Sequence, residues 1–405
     1  MQYALLQIFS IYSSELLEPG DANQLYAAAN WGACFLAAPA GIVFDALGPA
    51  WACLLGGLCS SSGMALALAS LLGTPRIYSA SLGYFLFGFG ATLLNTVAVL
   101  AAVRAAPPKQ SAKVSAGVLC SLAIGMSIHT AVHAQWFRGA PFNFLSYQIA
   151  YSLLSGILGF LVFRSSAWNA VAESAADDVS EPSGTAKDEP KSTAARIWNI
   201  VLTREFPWLA ALHLIPIAYS FAWLGNWSVC AERLLIPEED RTRIGLGLGL
   251  FSAAGRILFG LLGDWAPGGR GKMGLELGFV GSVGLFQLAF LLLEHDQRTF
   301  FELAMQLQCL GYGGLLCLAP VALRAGFPVE DLGTSFGLLY QLLAVTFTVF
   351  NWAAVPTPGC VGSDCFQGFF SVASILNAGC LLWALTRLVR ASQKVASTSL
   401  RARKL

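Results

Sequence analysis

Residues Ser252 to Lys272 read SAAGRILFGLLGDWAPGGRGK, and this stretch decides how the rest of the chain is read. An apolar helix carrying Gly255-Arg256 runs into Gly260-x-Leu262-x-Asp264, followed by a short loop with Arg270 and Lys272. A sparser copy stands 219 residues earlier, where Gly41-x-x-x-Asp45-x-x-Gly48 closes another apolar run. A glycine one helical turn before a carboxylate, at the end of an apolar run and twice in one chain, points to two related halves.

Composition sets the solvent. With 56% hydrophobic and 12% charged residues and a mean hydropathy of +0.63, the chain lies far from soluble domains, in which about 25% of residues are charged. Its 41 glycines fit membrane helices, where small residues let backbones approach closely. A net charge of +1 gives no sign of a nucleic-acid partner. The ten cysteines lie mostly singly within apolar runs, as small hydrophobes do. No metal-type cysteine pairing occurs, no cofactor motif survives inspection, and no Ser/His/Asp or HExxH constellation supports an enzyme. Gly245-x-Gly247-x-Gly249 lacks the third spacing of a dinucleotide fingerprint.

Hydropathy and helix breakers place twelve spans, near 1–17, 23–45, 50–72, 77–102, 114–136 and 144–164, then near 205–231, 244–264, 273–293, 299–322, 333–354 and 367–390. The first is short for a membrane crossing, so the chain is expected to begin inside its first helix. Residues 165–204 form the one long polar segment, with an acidic, Ser-, Pro- and Lys-containing middle from Asp177 to Lys191. The domain reading is an N-terminal six-helix bundle (1–164), a cytoplasmic linker (165–204), a C-terminal six-helix bundle (205–390) and a basic cytoplasmic tail (391–405). If the linker is cytoplasmic, 17 of the 24 Lys and Arg residues fall on its side and six on the other, with Arg256 inside a span. Both termini are then cytoplasmic.

With twelve spans, a central polar loop and a doubled Gly-x-x-x-Asp after spans 2 and 8, the chain resembles the major facilitator superfamily. That family's loop motif reads roughly G-x-L-x-D-x-x-G-[RK]-x-[GK]. Gly260, Leu262, Asp264, Arg270 and Lys272 follow it with a stretched spacing, and Arg256 matches the usual Gly-Arg one turn earlier. The first-half copy keeps Gly41, Asp45 and Gly48 but has Pro49-Ala50 where a basic residue is usual. Two further stretches look more specific. Gly41–Ala69 and the segment from Val103-Arg104 to Gln135 resemble the nodulin-like transporters. Gly326-Phe327-Pro328 through Gly333-Thr334-x-x-Gly337 resembles the large neutral amino acid transporter branch.

The resemblance implies an all-α fold of two pseudo-symmetric six-helix bundles and an alternating-access secondary transporter. It also implies a small-molecule solute, such as an amino acid or monocarboxylate, and a monomer in the lipid bilayer. A transporter-derived receptor on the same fold is the alternative. The family's loop acts as a conformational latch, a role carried to Gly41, Asp45, Arg256, Gly260, Asp264 and Arg270. An arginine within a span is costly and pairs or faces water; Asp264 and Glu276 are the partners expected for Arg256.

In that family spans 1, 4, 7 and 10 line the pathway. Span 4 offers Thr92 and Asn95; span 7 offers Tyr219, Trp223 and Asn226, with His213 on another face; span 10 offers Gln308 and Tyr312. Each group recurs on one helical face. Inter-helix hydrogen bonding is the alternative for any one of them.

Span 5 carries His129 and His133 at i, i+4, a spacing suited to proton coupling, to a metal or to a buried pair. That span carries no Asp or Glu, and Cys120 stands more than two turns before His129, so no third ligand beside the pair completes a metal site. Because spans 4, 5, 7 and 11 carry no central carboxylate, facilitated diffusion is expected over proton symport. In the last outer loop, Cys360-x4-Cys365 fits a local disulfide or two free thiols. Mass mapping without reduction is expected to recover one linked peptide if the bridge forms, and two separate peptides otherwise.

Overall fold

Leu36 and Gly48 decide how the first third of the chain is divided. Leu36, at φ −95° and ψ 11°, separates α1 (Pro19–Phe35) from α2 (Ala37–Leu71). Gly48, at φ 75° and ψ 173°, breaks α2 immediately before Pro49. That backbone region is open essentially to glycine alone, and the proline ring cannot continue the preceding turn. The sequence spans near 23–45 and 50–72 therefore correspond to α1 with the first part of α2, and to the remainder of α2 after Gly48.

The computed structural model describes residues 5, 8, 9, 12, 15–72, 75–107, 110–166, 168, 193–203, 205–265, 271–353 and 366–402. The next helices are α3 (Ile77–Ala105), α4 (Ser111–Val132) and α5 (Pro141–Arg164). A π-helical turn, His133–Phe137, closes α4. Then come α6 (Thr193–Leu202), α7 (Glu205–Leu214), α8 (Pro216–Arg233), α9 (Glu238–Asp264), α10 (Gly271–His295), α11 (Gln297–Gly326), α12 (Leu332–Ala353) and α13 (Gln367–Ala402). Among the described residues, ten helical stretches are long and apolar enough to cross a membrane. The span expected at 1–17 lies largely outside the described residues, as do most of the polar stretch 165–204 and the loop with Cys360 and Cys365.

By proximity the chain divides into two compact units. One comprises Met1–Pro108, Ile128–Ala210 and Leu323–Val345; the other comprises Lys109–Ser127, Ala211–Ala322 and Thr346–Leu405. Within the first, α2 packs against α3 and α5, and α1 packs against α3. Within the second, α10 packs against α13 and α9. Small residues make the contacts close: a Cβ at Gly57 would stand 2.6 Å from the Cα of Gly156. The helix α5 is amphipathic in the membrane sense. Leu154, Leu158, Leu161 and Val162 are exposed, while Gln148, Ser152 and Gly156 are buried. Lipid tails are as apolar as leucine, so close packing of small residues and hydrogen bonds, more than hydrophobicity, select the inner face.

Between α10 and α11, Asp296 caps the helix that follows. Its carboxylate accepts from the amides of Arg298 (3.0 Å) and Thr299 (3.1 Å) and from the Thr299 hydroxyl (2.7 Å). The Thr299 bonds lead in holding its carboxyl below the usual carboxylate range. The cap is thus intact at neutral pH and is lost as pH falls through that lowered range.

Because Gly48 faces open space, a methyl there would add only backbone strain. Gly48→Ala is expected to destabilise the fold by about 1–3 kcal/mol. A lower melting temperature in detergent, measured by differential scanning fluorimetry, checks this.

Candidate functional site

Each unit contains one carboxylate at a helix end that accepts hydrogen bonds from the first amides of a helix distant in sequence. In the first unit, Asp45 Oδ1 accepts from the Gly333 amide at 3.2 Å. Its Oδ2 accepts from the Thr334 amide at 2.8 Å and from the Thr334 hydroxyl at 2.9 Å. Gly333 and Thr334 open α12, where backbone N–H groups have no intrahelical partner and the helix dipole favours an anion. In the second unit, Asp264 Oδ1 accepts from the Ala112 amide at 3.0 Å and Oδ2 from the Lys113 amide at 2.8 Å, at the start of α4.

The glycine one turn earlier permits each contact. A methyl on Gly41 would collide with the Gly333 carbonyl, and one on Gly260 with the Ala116 side chain. On α12 the fit is mutual, since a methyl on Gly337 would run into the Ala37 carbonyl.

The two sites differ in charge, in a sense the sequence motif does not give. Asp45, which lacks a basic neighbour in the loop, receives Arg104 from the end of α3, with Nη2 2.5 Å from Oδ1. That guanidinium also lies 4.4 Å over the Phe44 ring. Arg104 is 59 residues from Asp45 in the chain, so no local motif could have found it. Two further arginines brace the same face. Arg324 donates to the carbonyls of Val103 and of Ala106 (2.7 Å), satisfying the end of α3. Arg196, on α6, donates to the Asp331 carboxylate (2.7 and 2.5 Å) and the Glu330 carbonyl (3.0 Å).

Around Asp264 the basic loop is only partly in view. Arg270 lies outside the described residues, and the structure describes the backbone of Lys272 but not its side chain. Arg256 is fully buried, and its carbonyl accepts from the Cys317 thiol at 3.6 Å. Of the two partners expected for Arg256, Asp264 binds the α4 amides. Glu276 receives Arg387 through Nε (3.1 Å) and Nη2 (2.9 Å).

The residues expected to line a pathway fall into two groups. Tyr219 donates to the Phe369 carbonyl, and their rings stack at 4.2 Å. The Trp223 indole N–H donates to the Met305 sulfur, beside Phe370 at 4.9 Å. Asn226 donates to the Ala222 carbonyl (2.8 Å) and to Asn351 (3.2 Å). These polar hydrogens are therefore engaged within the second unit. Tyr312 is buried against the Phe221 ring at 5.8 Å, and His213 lies 6.4 Å from that of Phe279.

Gln308 is the contrast. It is buried, and neither end of its amide has a hydrogen-bond partner among the described residues. In the first unit the Thr92 hydroxyl is in the same condition, while Asn95 is half-buried.

His129 and His133 are both buried. His129 Nδ1 shares a 2.9 Å hydrogen bond with the Tyr147 hydroxyl. His133 Nε2 lies 3.7 Å from Glu15 Oε2. Glu15 stands near the end of the span expected at 1–17, far along the chain from His133. Among the described residues, no group of three His, Cys, Asp or Glu side chains could hold a metal ion.

No protein-family model and no curated protein matches the sequence. Solved structures do. The chain is similar to the human organic anion transporter MFSD10 (TETRAN), at 16% identity and a TM-score of 0.59, over 94% of this chain and 88% of that one. It is also similar to the major facilitator superfamily proton:xylose symporter XylE bound to 6-bromo-6-deoxy-D-glucose. There the identity is 12% and the TM-score 0.60, over 96% of this chain and 92% of that one. The chain thus has the major facilitator fold, an all-α architecture of membrane-spanning helices.

Asp45 holds a guanidinium as well as a helix end, whereas Asp264 is described with helix amides alone. Asp45→Asn is therefore expected to cost about 1.5–3 kcal/mol, the scale of a hydrogen bond to a charged group, and Asp264→Asn less. Gly41→Val should be at least as damaging as Asp45→Asn, because the side chain meets backbone. Melting temperatures of the purified variants, compared at one pH, check the order.

Proposed function

We propose that this protein is an alternating-access secondary transporter of a small organic solute, an amino acid or a monocarboxylate. The observation that carries the reading is the pair of carboxylate-to-helix contacts. Asp45 reaches from the first half of the sequence to α12 in the second, and Asp264 reaches from the second half to α4 in the first. Each contact is a small set of polar bonds that a shift of about one helical turn would break. A contact present in one of two packings biases the equilibrium between them. Transporters with internal repeats use such two-state packing to expose a central site alternately to either side.

The solute class rests on chemistry and on likeness. Gln308 and Thr92 offer neutral donors and acceptors without partners among the described residues, which suits a neutral or zwitterionic solute. The resemblance of Gly326 to Gly337 to the large neutral amino acid branch favours an amino acid. The organic anion transporter among the similar structures favours a carboxylate. With the linker on the cytoplasmic side, both termini are cytoplasmic by the charge rule, and the working unit is a monomer. A transporter-derived receptor would keep the same fold and bind the solute without moving it.

The test is a thermal-shift screen of the purified protein against leucine, lactate and xylose, followed by uptake into proteoliposomes. A bound probe raises the melting temperature by mass action. Uptake of that probe is expected to fall in Asp264→Asn while the amount of reconstituted protein is unchanged. Gln308→Ala should weaken the thermal shift. Binding without uptake in the wild type would favour the receptor reading, and a full rate in Asp264→Asn would remove the latch role from that residue.

A further inference from the structure

The π-helical turn that closes α4 brings together polar groups that the transport reading leaves unused. A π turn holds an extra residue in the helix and is frequent at functional sites. Here it begins at His133 and leads to Gly139, whose φ of +74° turns the chain back. The Gly139 amide donates to Glu15 Oε2 at 3.2 Å, and the same oxygen lies 3.7 Å from His133 Nε2. The side chain of Glu15 is 27% exposed and that of His133 4%, so the pair runs from water into the protein.

Behind His133 the interior is polar. The Tyr12 ring lies 6.2 Å from the imidazole, and its hydroxyl faces Tyr84 and the Gln148 amide. All three residues are completely buried. Neither hydroxyl and neither end of that amide makes a hydrogen bond of ordinary geometry among the described residues. Buried polar groups facing one another in this way are costly in a membrane protein's interior and are retained where something polar passes or binds.

We infer that Glu15 and His133 form a proton-binding pair that makes transport proton-coupled. This deepens the transport reading and rests on it. It also revises the expectation of facilitated diffusion, which arose because no carboxylate lies centrally on spans 4, 5, 7 or 11; the fold instead sets a carboxylate from the end of span 1 beside a histidine of span 5.

The chemistry is a transfer without any other bond change. A proton from water reaches the Glu15 carboxylate and passes to His133 Nε2, and it leaves to water when the pair is next exposed. Without the proton the pair carries a carboxylate beside a neutral imidazole, a net charge of −1. With it the pair is a carboxylate beside an imidazolium, net neutral. A lone buried charge costs far more than a paired one, so a conformation that closes this region from water favours the protonated pair. Other groups face it. Arg138 is the basic side chain acting on His133, and Tyr12 and Phe144 flank the ring. His129, one turn earlier, is held by Tyr147 and packs on Tyr151.

Infrared titration of the full-length protein in lipid, between about pH 5 and 8, where histidine changes charge, reads the pair directly. The carboxylate and imidazole bands are expected to change together in the wild type, and Glu15→Gln and His133→Gln are each expected to remove that joint change. Glu15→Asp keeps the carboxylate and should retain it, which separates loss of the proton site from loss of the fold. Identical titrations in wild type, Glu15→Gln and His133→Gln would overturn the assignment.

Uptake of leucine, lactate and xylose with and without an inward acid gradient then reads coupling. Gradient-driven accumulation of a probe should occur in the wild type and be lost in Glu15→Gln, with exchange of the probe retained. Wild-type uptake that ignores the gradient overturns coupling and leaves the transport reading standing. An intact titration with no uptake of any probe supports the proton site and counts against transport of these solutes.

Discussion

A carboxylate placed against the open end of a helix is the interaction on which the rest depends. The first amides of a helix have no partner of their own, and inside a membrane protein little water is at hand to supply one. Asp45 and Asp264 fill that need for α12 and α4. Neither could do so without the glycine one turn before it, because any side chain at Gly41 or Gly260 would strike the helix being approached. Each contact joins a helix of one sequence half to a helix of the other. The two compact units accordingly do not coincide with the two sequence halves: Leu323–Val345 groups with the helix of Asp45, and Lys109–Ser127 with that of Asp264.

The same scarcity of water explains how the fold uses its inward polar residues. Tyr219, Trp223 and Asn226 looked equally suited to a solute, since all three present polar atoms on one face of span 7. The structure engages those atoms with Phe369, Met305, Ala222 and Asn351, where they tie helices together. Among the described residues, Gln308 and Thr92 retain polar atoms without a hydrogen-bond partner, and a buried polar cluster lies beside Glu15 and His133. In an apolar medium, polar groups left without partners in the fold are the strongest sign of a site, because packing alone would have replaced them with hydrocarbon.

Electrostatics completes the picture at the Asp45 end of the first unit. Arg104, Arg324 and Arg196 are not arranged as a motif, yet each ends on a helix terminus or on the acidic turn before α12. The positive-inside bias counts these residues as determinants of orientation. The fold also gives them local work: Arg104 offsets the charge of Asp45, Arg324 satisfies the last carbonyls of α3, and Arg196 holds α6 to the loop that opens α12. Asp45, poorer in basic neighbours along the chain, has the fuller set of described partners.

Much of the fold was legible before any coordinates, because its determinants are local. Hydropathy over some 20 residues marks a span, Gly48-Pro49 marks a break, and the repeated Gly-x-x-x-Asp marks the two helix ends from which the carboxylates reach. The partners were not legible, because they lie far away in sequence and are chosen by packing. Nothing near Asp45 announces Arg104 or Gly333, and nothing on span 5 announces Glu15. The sequence by itself determined a membrane protein of repeated helices with two carboxylates at equivalent helix ends. Only the tertiary structure decided which amides, guanidinium and imidazole those and the other acidic groups would meet. The reason is physical: a helix's hydrogen bonds are local and can be read along the chain, whereas the unsatisfied groups at its ends and on its inner face find partners only where another helix arrives.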